Sequence, residues 1–215
     1  NEDLGRYTIA EGFYTALLET RKKMAGENHS GYASSCNALG VLYTKTRQFE
    51  KAEIYLVKAV ETWDRVLGKQ NENYIISLEN LSFTYARLGK NDKAEITALA
   101  ALELKKISLG ETNPLYILSL KNLAKFYQNT SQYDKAEKYF LTAIKIAEDS
   151  LVDNTPEYTE TLLFLANLYK ETGKYIEAET WFMKAVKSGE KTLGTGHYFY
   201  GRILNDLALL YDYSG

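Results

Sequence analysis

The feature that most constrains this chain is a repeat, because the same residue types return every 42 positions. Tyrosine recurs at this spacing in two columns, and alanine followed by glutamate recurs in a third. The columns are Tyr43, Tyr85, Tyr127, Tyr169 and Tyr211; Tyr32, Tyr74, Tyr116, Tyr158 and Tyr200; and Ala10, Ala52, Ala94, Ala136 and Ala178. No insertion or deletion disturbs the register. A fixed period of this length indicates an array of small stacked units instead of one irregular core.

Each unit reads as two helices. Cys36, Leu39, Gly40 and Tyr43 are separated by three, one and three residues, which places them on one helical face. This first helix, helix A, is predicted near 31–46, 73–88, 115–130, 157–172 and 199–214. Helix B is predicted near 50–67, 92–109, 134–151 and 176–193, with an opening copy near 8–25. Only two prolines interrupt the chain, so the predicted class is all-α, built from antiparallel helical hairpins.

Small residues mark where the two helices of a hairpin approach each other. Helix A carries them at Gly40, Ser82, Ala124, Ala166 and Ala208, and helix B carries the alanine column. Two helices pack closely only where one side chain is nearly absent. A leucine at Ala136 is therefore expected to overpack this contact, at a cost of about 1–3 kcal/mol.

The register also predicts how the chain is divided. Residues 1–215 form one solenoid segment with full units 31–72, 73–114, 115–156 and 157–198 and partial units 1–30 and 199–215. Gly5 and Gly215 fall in the same turn column as Gly89 and Gly173. The chain is therefore expected to begin and end inside a unit, as a fragment of a longer array.

These columns resemble the tetratricopeptide repeat pattern W-x2-L-G-x2-Y…A-x3-F…A. The third copy reads Leu120, Leu123, Ala124, Tyr127, Ala136, Phe140 and Ala143, and the tryptophan position holds Cys or Leu throughout. A standard unit has about 34 residues, so helix B is expected to be about two turns longer here. The longer unit is similar to the kinesin light chain type. The residues that carry this similarity are Asn122-Leu123-Ala124, Tyr133-Asp134-Lys135-Ala136-Glu137 and the connector Leu67-Gly68.

The resemblance implies a right-handed α-α superhelix whose A helices line a concave groove that binds a protein or peptide. The groove positions implied for this chain are Asn37, Lys45, Ile76, Glu79, Phe83, Arg87, Leu118, Lys121, Lys125, Asn129, Asn167, Lys170 and Asn205. The main hypothesis is a non-catalytic interaction scaffold. Similar prokaryotic arrays are fused to caspase-like (CHAT) peptidases or signalling NTPases, so a regulatory array of an enzyme, touching the rest of its own parent chain, is the alternative. Self-assembly through the array ends is a third hypothesis.

Two lysines give the groove its predicted chemistry. Lys121 and Lys125 are one helical turn apart, with Arg87 expected nearby, and Ile76, Phe83 and Leu118 would form an apolar floor. One interpretation is a site for an extended peptide with acidic and bulky apolar residues. The other is that both lysines belong to a solvated helix face.

Composition argues against other classes. A net charge of −2 does not favour nucleic acid as a partner, and no apolar run approaches the roughly 18 residues of a membrane span. The single cysteine, Cys36, fits a reducing compartment such as the cytoplasm. His29, His197 and Cys36 are expected to be structural, and no motif for a metal, a cofactor or catalysis is present.

Overall fold

The computed structural model describes residues 2–214, with side chains described from 5 to 212. It contains ten helices over that range. They are α1 (Glu2–Ala25), α2 (Ser30–Lys45), α3 (Phe49–Leu67), α4 (Glu72–Arg87), α5 (Asn91–Leu109), α6 (Pro114–Asn129), α7 (Tyr133–Asp149), α8 (Pro156–Glu171), α9 (Tyr175–Thr192) and α10 (Tyr198–Ser214). Even-numbered helices are the predicted A helices, and odd-numbered helices are the B helices. The all-α class built from helical hairpins is confirmed.

The predicted helix boundaries agree with the structure to within a residue or two, except in α1. This helix begins at Glu2 and runs through Gly5, so the turn predicted at Gly5 is wrong. Glycine permits a left-handed turn but does not impose one, and a helix tolerates it at a cost of about 0.5–1 kcal/mol. Gly215, the other end of the same prediction, lies outside the described residues.

The turn from helix A to helix B is compact and has the same form in four repeats. One residue takes a left-handed conformation, with φ of 61° at Arg47, 71° at Gly89, 59° at Ser131 and 76° at Gly173. The next residue donates its N–H to a tyrosine carbonyl five positions earlier, as in Gln48 to Tyr43 at 2.8 Å. This pairing satisfies the last carbonyls of helix A, so helix B begins at once.

The connector from helix B to the next helix A ends in a side-chain cap. Asn71 Oδ1 accepts from the N–H of Asn73 at 3.0 Å, and Asn113 Oδ1 accepts from the N–H of Leu115 at 2.9 Å. Thr155 Oγ1 accepts from the N–H of Tyr158 at 3.2 Å. Asn113 and Thr155, which directly precede Pro114 and Pro156, therefore cap the helices that begin at those prolines.

In the hairpins α2–α3, α6–α7 and α8–α9 the core lies between the two helices, and α3, α7 and α9 also pack against the next helix A. Ala52, Ala124, Ala136 and Ala166 are fully buried. A Cβ built on Gly40 would lie 2.5 Å from Cγ of Leu56, so the two backbones can approach here only without a side chain. Two tyrosines of the recurring column join successive repeats, since the Tyr43 hydroxyl donates to Glu11 at 2.7 Å and the Tyr169 hydroxyl donates to Glu137 at 2.8 Å.

The chain divides into two compact units, Asn1–Ser108 and Leu109–Gly215. The first contains α1 to α5 and the second contains α6 to α10, with the boundary at the end of α5. One continuous array over 1–215, with the superhelical hand implied by the resemblance, stays a prediction.

Candidate partner-binding surface

The thirteen predicted groove residues all lie on even-numbered helices, six in the first compact unit and seven in the second. The structure separates them by exposure. The exposed ones are Lys45, Ile76, Phe83, Arg87, Asn129 and Asn205. The partly or fully buried ones are Asn37, Glu79, Leu118, Lys121, Lys125, Asn167 and Lys170. Most of the second group take part in contacts between helices.

Asn37 joins α2 to α4. Its Oδ1 accepts hydrogen bonds from Ser77 Oγ at 3.1 Å and from Asn80 Nδ2 at 3.2 Å. An amide whose carbonyl oxygen already accepts two bonds has little acceptor capacity left for a ligand. Asn37 therefore positions α4 against α2.

Glu79 on α4 faces a lysine from helix B of its own repeat. Lys105 Nζ lies 2.6 Å from Glu79 Oε1, and the Lys105 side chain is buried. A buried ammonium needs a hydrogen-bonded counter-charge, because desolvating an unpaired ion is costly. Glu79 supplies that charge. The sequence interpretation had placed Glu79 in the groove as a residue for contacting a ligand.

Three predicted residues on α4 form an exposed surface, which we call the α4 patch: Ile76, Phe83 and Arg87. They are spaced by seven and four residues and so share one face of the helix. Phe83 is 55% exposed and Ile76 is 39% exposed. The Arg87 guanidinium lies 5.3 Å from the centre of the Phe49 ring. The patch combines accessible apolar area with a cation.

The burial of Lys121 contradicts one of the two interpretations of its sequence position, the solvated helix face. Lys121 is only 5% exposed, so it does not belong to a solvated face, and its Nζ pairs with the Glu160 carboxylate of α8. This ion pair joins the A helices of two successive repeats. Removing one partner of a buried pair leaves an uncompensated charge, so Lys121 has a structural role in addition to any contact with a ligand.

Lys125 lies one turn further along α6. Its Nζ is 4.1 Å from the centre of the Phe164 ring of α8, a cation–π contact. Burial is the largest cause that lowers the pKa of Lys125, and the nearby Glu160 opposes the shift. Its grouping with Arg87, which lies in the other compact unit, stays a prediction.

Asn167 and Lys170 on α8 also contact neighbouring helices. Asn167 Nδ2 donates to the Leu163 carbonyl at 3.0 Å and to Asp206 Oδ2 at 3.3 Å. Lys170 Nζ lies 5.8 Å from the centre of the Phe182 ring. Four of the predicted groove side chains therefore join successive repeats: Asn37, Lys121, Lys125 and Asn167.

The sequence interpretation missed the partners of these residues, although a signal was present. Lys121 meets Glu160, and Asn167 meets Asp206, at the same separation of 39 residues. That separation is three residues shorter than the 42-residue period, and Lys125 and Phe164 are separated by the same number of residues. Comparing charges at this offset would have paired Lys121 with Glu160.

A pocket of about 200 Å³ lies between α6, α7 and α8. Its walls are mainly apolar and include Leu118, Ala147 and Val152, and Lys121 also borders it. No sequence pattern pointed to this pocket.

The histidines and the cysteine have structural surroundings. His29 Nδ1 accepts from the Gly31 N–H at 3.0 Å, and His197 Nδ1 accepts from the Phe199 N–H at 3.1 Å, so both cap the start of a helix. Cys36 is fully buried, and burial is the main cause that raises its pKa to about 11. At neutral pH its thiol is therefore protonated and a weak nucleophile. Over the side chains described, no three His, Cys, Asp or Glu residues are grouped as a metal site would require.

No helix in the described part of the chain has both the length and the apolar character that crossing a bilayer requires.

Helical hairpins repeated in register, closed by buried small residues and a tyrosine column, define a helical repeat protein. The family model for the tetratricopeptide repeat matches residues 37–107, 84–149, 115–190 and 157–215. The chain therefore belongs to the tetratricopeptide repeat family, whose members generally serve as protein-interaction scaffolds. No curated protein sequence matches the chain.

Solved structures with a similar fold include proteins of the kinesin light chain type. A variant of a Podosopora anserina protein with nearly identical TPR-like repeats, described as a kinesin light chain, has a TM-score of 0.79 and 19% identity over 88% of this chain and 90% of that one. BtubC (BKLC) from P. vanneervenii has a TM-score of 0.79 and 17% identity over 97% of this chain and 84% of that one. The apo form of RapI has a TM-score of 0.78 and 18% identity, and the match covers 96% of this chain but 55% of RapI. At these identities the likeness concerns the fold.

Proposed function

We propose that this chain is a non-catalytic scaffold that binds a protein or peptide partner through the exposed face of its A helices, with the α4 patch as the main contact. The observation that carries the proposal is the exposure of Phe83 and Ile76 beside Arg87. Phe and Arg are among the residues enriched at the centre of protein–protein interfaces relative to the rest of the surface.

The charges of this surface support an acidic partner. Lys45 and Arg87 are exposed on α2 and α4, whereas the nearest acidic candidate on α4, Glu79, is paired with Lys105. An acidic peptide with at least one bulky apolar residue therefore complements the patch. Lys121 and Lys125 contribute less than their sequence positions predicted, because each already contacts a residue of α8.

The test compares capture of partners from a lysate of the source cells by wild type and by two variants. Phe83→Ala removes the exposed ring, and Arg87→Glu reverses the exposed charge. Both sites are on the surface, so circular dichroism is expected to be unchanged. We expect the partners retained by wild type to be lost or strongly reduced with either variant, as truncation of a central contact costs about 2 kcal/mol or more.

Two matched variants serve as controls. Ile96→Ala removes an apolar side chain that is 69% exposed on helix B of the same repeat, and Lys145→Glu reverses an exposed charge on α7. Both are expected to retain the partners. Equal retention by all four variants would move the interaction away from the A helices and contradict the proposal.

A further inference from the structure

One position of helix B is filled differently in each full repeat. At the 42-residue spacing, the equivalent residues are Trp63, Lys105, Ala147 and Gly189. They lie on α3, α5, α7 and α9, in the half of each helix B that leads to the next helix A. Because the repeats share one backbone plan, these four positions face equivalent space.

Three of the repeats fill this space from within the chain. In the first, the Trp63 indole is only 5% exposed. In the second, Lys105 is buried and reaches Glu79. In the fourth, side chains from the following repeat enter, since a Cβ on Gly189 would lie 3.0 Å from Cδ1 of Ile203 and 3.3 Å from Cδ2 of Tyr200.

The third repeat leaves the space open. Ala147 is buried and borders the pocket of about 200 Å³ between α6, α7 and α8. Leu115 and Glu157 also line the pocket and are exposed, so it opens to the surface between the starts of α6 and α8. The volume exceeds that of engineered apolar cavities of about 150 Å³ that take up benzene.

Several polar side chains of the wall already have partners. Lys121 is neutralised by Glu160, and Thr161 Oγ1 donates to the Glu157 carbonyl at 2.7 Å. Thr155 Oγ1 accepts from the Tyr158 N–H. Glu157, the acidic residue that lines the pocket, is exposed at its opening. A charged ligand in the interior would therefore be desolvated without a counter-charge, whereas a neutral apolar group would gain contact area at no such cost.

We propose that this pocket binds a neutral aromatic group of about the size of indole. The chain itself supplies the precedent, because an indole occupies the equivalent space in the first repeat. The indole nitrogen of Trp63 has no hydrogen-bond partner there, so contact area and shape are what that space offers. The site lies in the second compact unit and does not depend on the α4 patch of the first.

The first experiment titrates the whole chain with free indole while methyl NMR signals of Leu118 and Val152 are recorded. We expect saturable shifts of both signals. In Ala147→Trp, the new side chain should occupy the pocket and remove the shifts, as Trp63 does in the first repeat. An absence of shifts in wild type, or unchanged shifts in a folded Ala147→Trp variant, would overturn the proposal.

A second pair of variants keeps the test valid if tryptophan at 147 prevents folding. Val152→Phe enlarges another pocket-lining residue, and we expect it to weaken indole binding by roughly tenfold or more. Leu151→Phe makes a similar change at the neighbouring residue, which is 86% exposed and does not line the pocket. Leu151→Phe should bind indole as wild type does, and equal weakening by both variants would contradict the assignment.

The source of the aromatic group is resolved by a competing probe. An end-blocked Ala-Trp-Ala tripeptide presents the same ring on a peptide backbone. Displacement of indole by the tripeptide would indicate a residue of a bound peptide as the natural occupant. Binding of indole without displacement would indicate a free small molecule, and both outcomes support the pocket as an aromatic site.

Discussion

Lys121 shows how the role of a residue depends on its neighbour in the next repeat. Its column also contains Asn37, Glu79, Leu163 and Asn205, which share a position on helix A but not a partner. Lys121 pairs with Glu160, whereas Asn37 accepts from Ser77 and Asn80. The same backbone position therefore serves an ion pair in one repeat and an amide contact in another.

At the residue scale, Gly40→Ala tests the close contact between α2 and α3. The added Cβ would lie 2.5 Å from Cγ of Leu56, a side chain with no exposed area into which it could move. We expect a net loss of roughly 1 kcal/mol or more of unfolding free energy, because overpacking outweighs the helix propensity gained by alanine. Urea denaturation followed by circular dichroism measures it.

The matched control is Gly12→Ala in α1, where a Cβ would have no atom within 4 Å. The same substitution is expected to stabilise there by about 0.5–1 kcal/mol, since only the helix propensity changes. Stabilisation by both substitutions would show that helix propensity, and not the contact with Leu56, decides stability at Gly40.

At the scale of elements, the two connections of each repeat end helices in different ways. The connector from helix B to helix A relies on a side-chain cap, as at Asn113, and so depends on residue type. The turn from A to B relies on backbone bonds and one left-handed residue. Glycine fills that position at Gly89 and Gly173, but Arg47 and Ser131 occupy it elsewhere at positive φ.

Exchanging residues at this turn should therefore change stability in opposite directions. Ser131→Gly relieves a left-handed conformation that costs about 1–2 kcal/mol in a residue with a Cβ. After the entropy cost of glycine in the unfolded chain, we expect a net gain of roughly 0.5–1 kcal/mol. Gly173→Ala should lose about 1 kcal/mol for the same reason. Both residues are exposed, so the comparison is free of packing effects. Thermal melting curves measure the two changes. A Ser131→Gly variant that is no more stable than wild type, or a Gly173→Ala variant that is no less stable, would contradict this expectation.

At the scale of the whole molecule, burial is uneven along the chain. Leu18 is the one apolar side chain of α1, among those described, that is buried. In α8, by contrast, Leu162, Leu163, Leu165, Ala166 and Leu168 are all buried. In a repeat array each helix is stabilised by its immediate neighbours, so local burial sets local stability.

Hydrogen–deuterium exchange measured by mass spectrometry should follow this pattern. We expect backbone amides of α1 to exchange fastest among the helices and those of α8 to be among the slowest, because opening α1 exposes little apolar area. Uniform protection across all ten helices would indicate that the chain unfolds as one cooperative block and would contradict this expectation.

The sequence alone determined the helices, their pairing into hairpins and the capped connectors. These features depend on residues close in the chain, such as Asn113 before Pro114, or on columns that recur at a fixed spacing, such as the tyrosine column. A turn at Gly5 was the exception, because a glycine permits more than one backbone conformation. The candidate exposed residues Phe83 and Arg87 were also identified from their positions on helix A.

Tertiary structure alone decided which of those positions are accessible. Lys121 occupies a predicted groove position, but it is paired with Glu160 of α8. Ala147 borders open space between α6 and α8 that no sequence pattern predicted. The physical reason is that repeats share a backbone but not their side chains. Each interface depends on the particular pair of residues that two neighbouring repeats bring together. A column of equivalent residues describes what the repeats have in common and does not show that pairing.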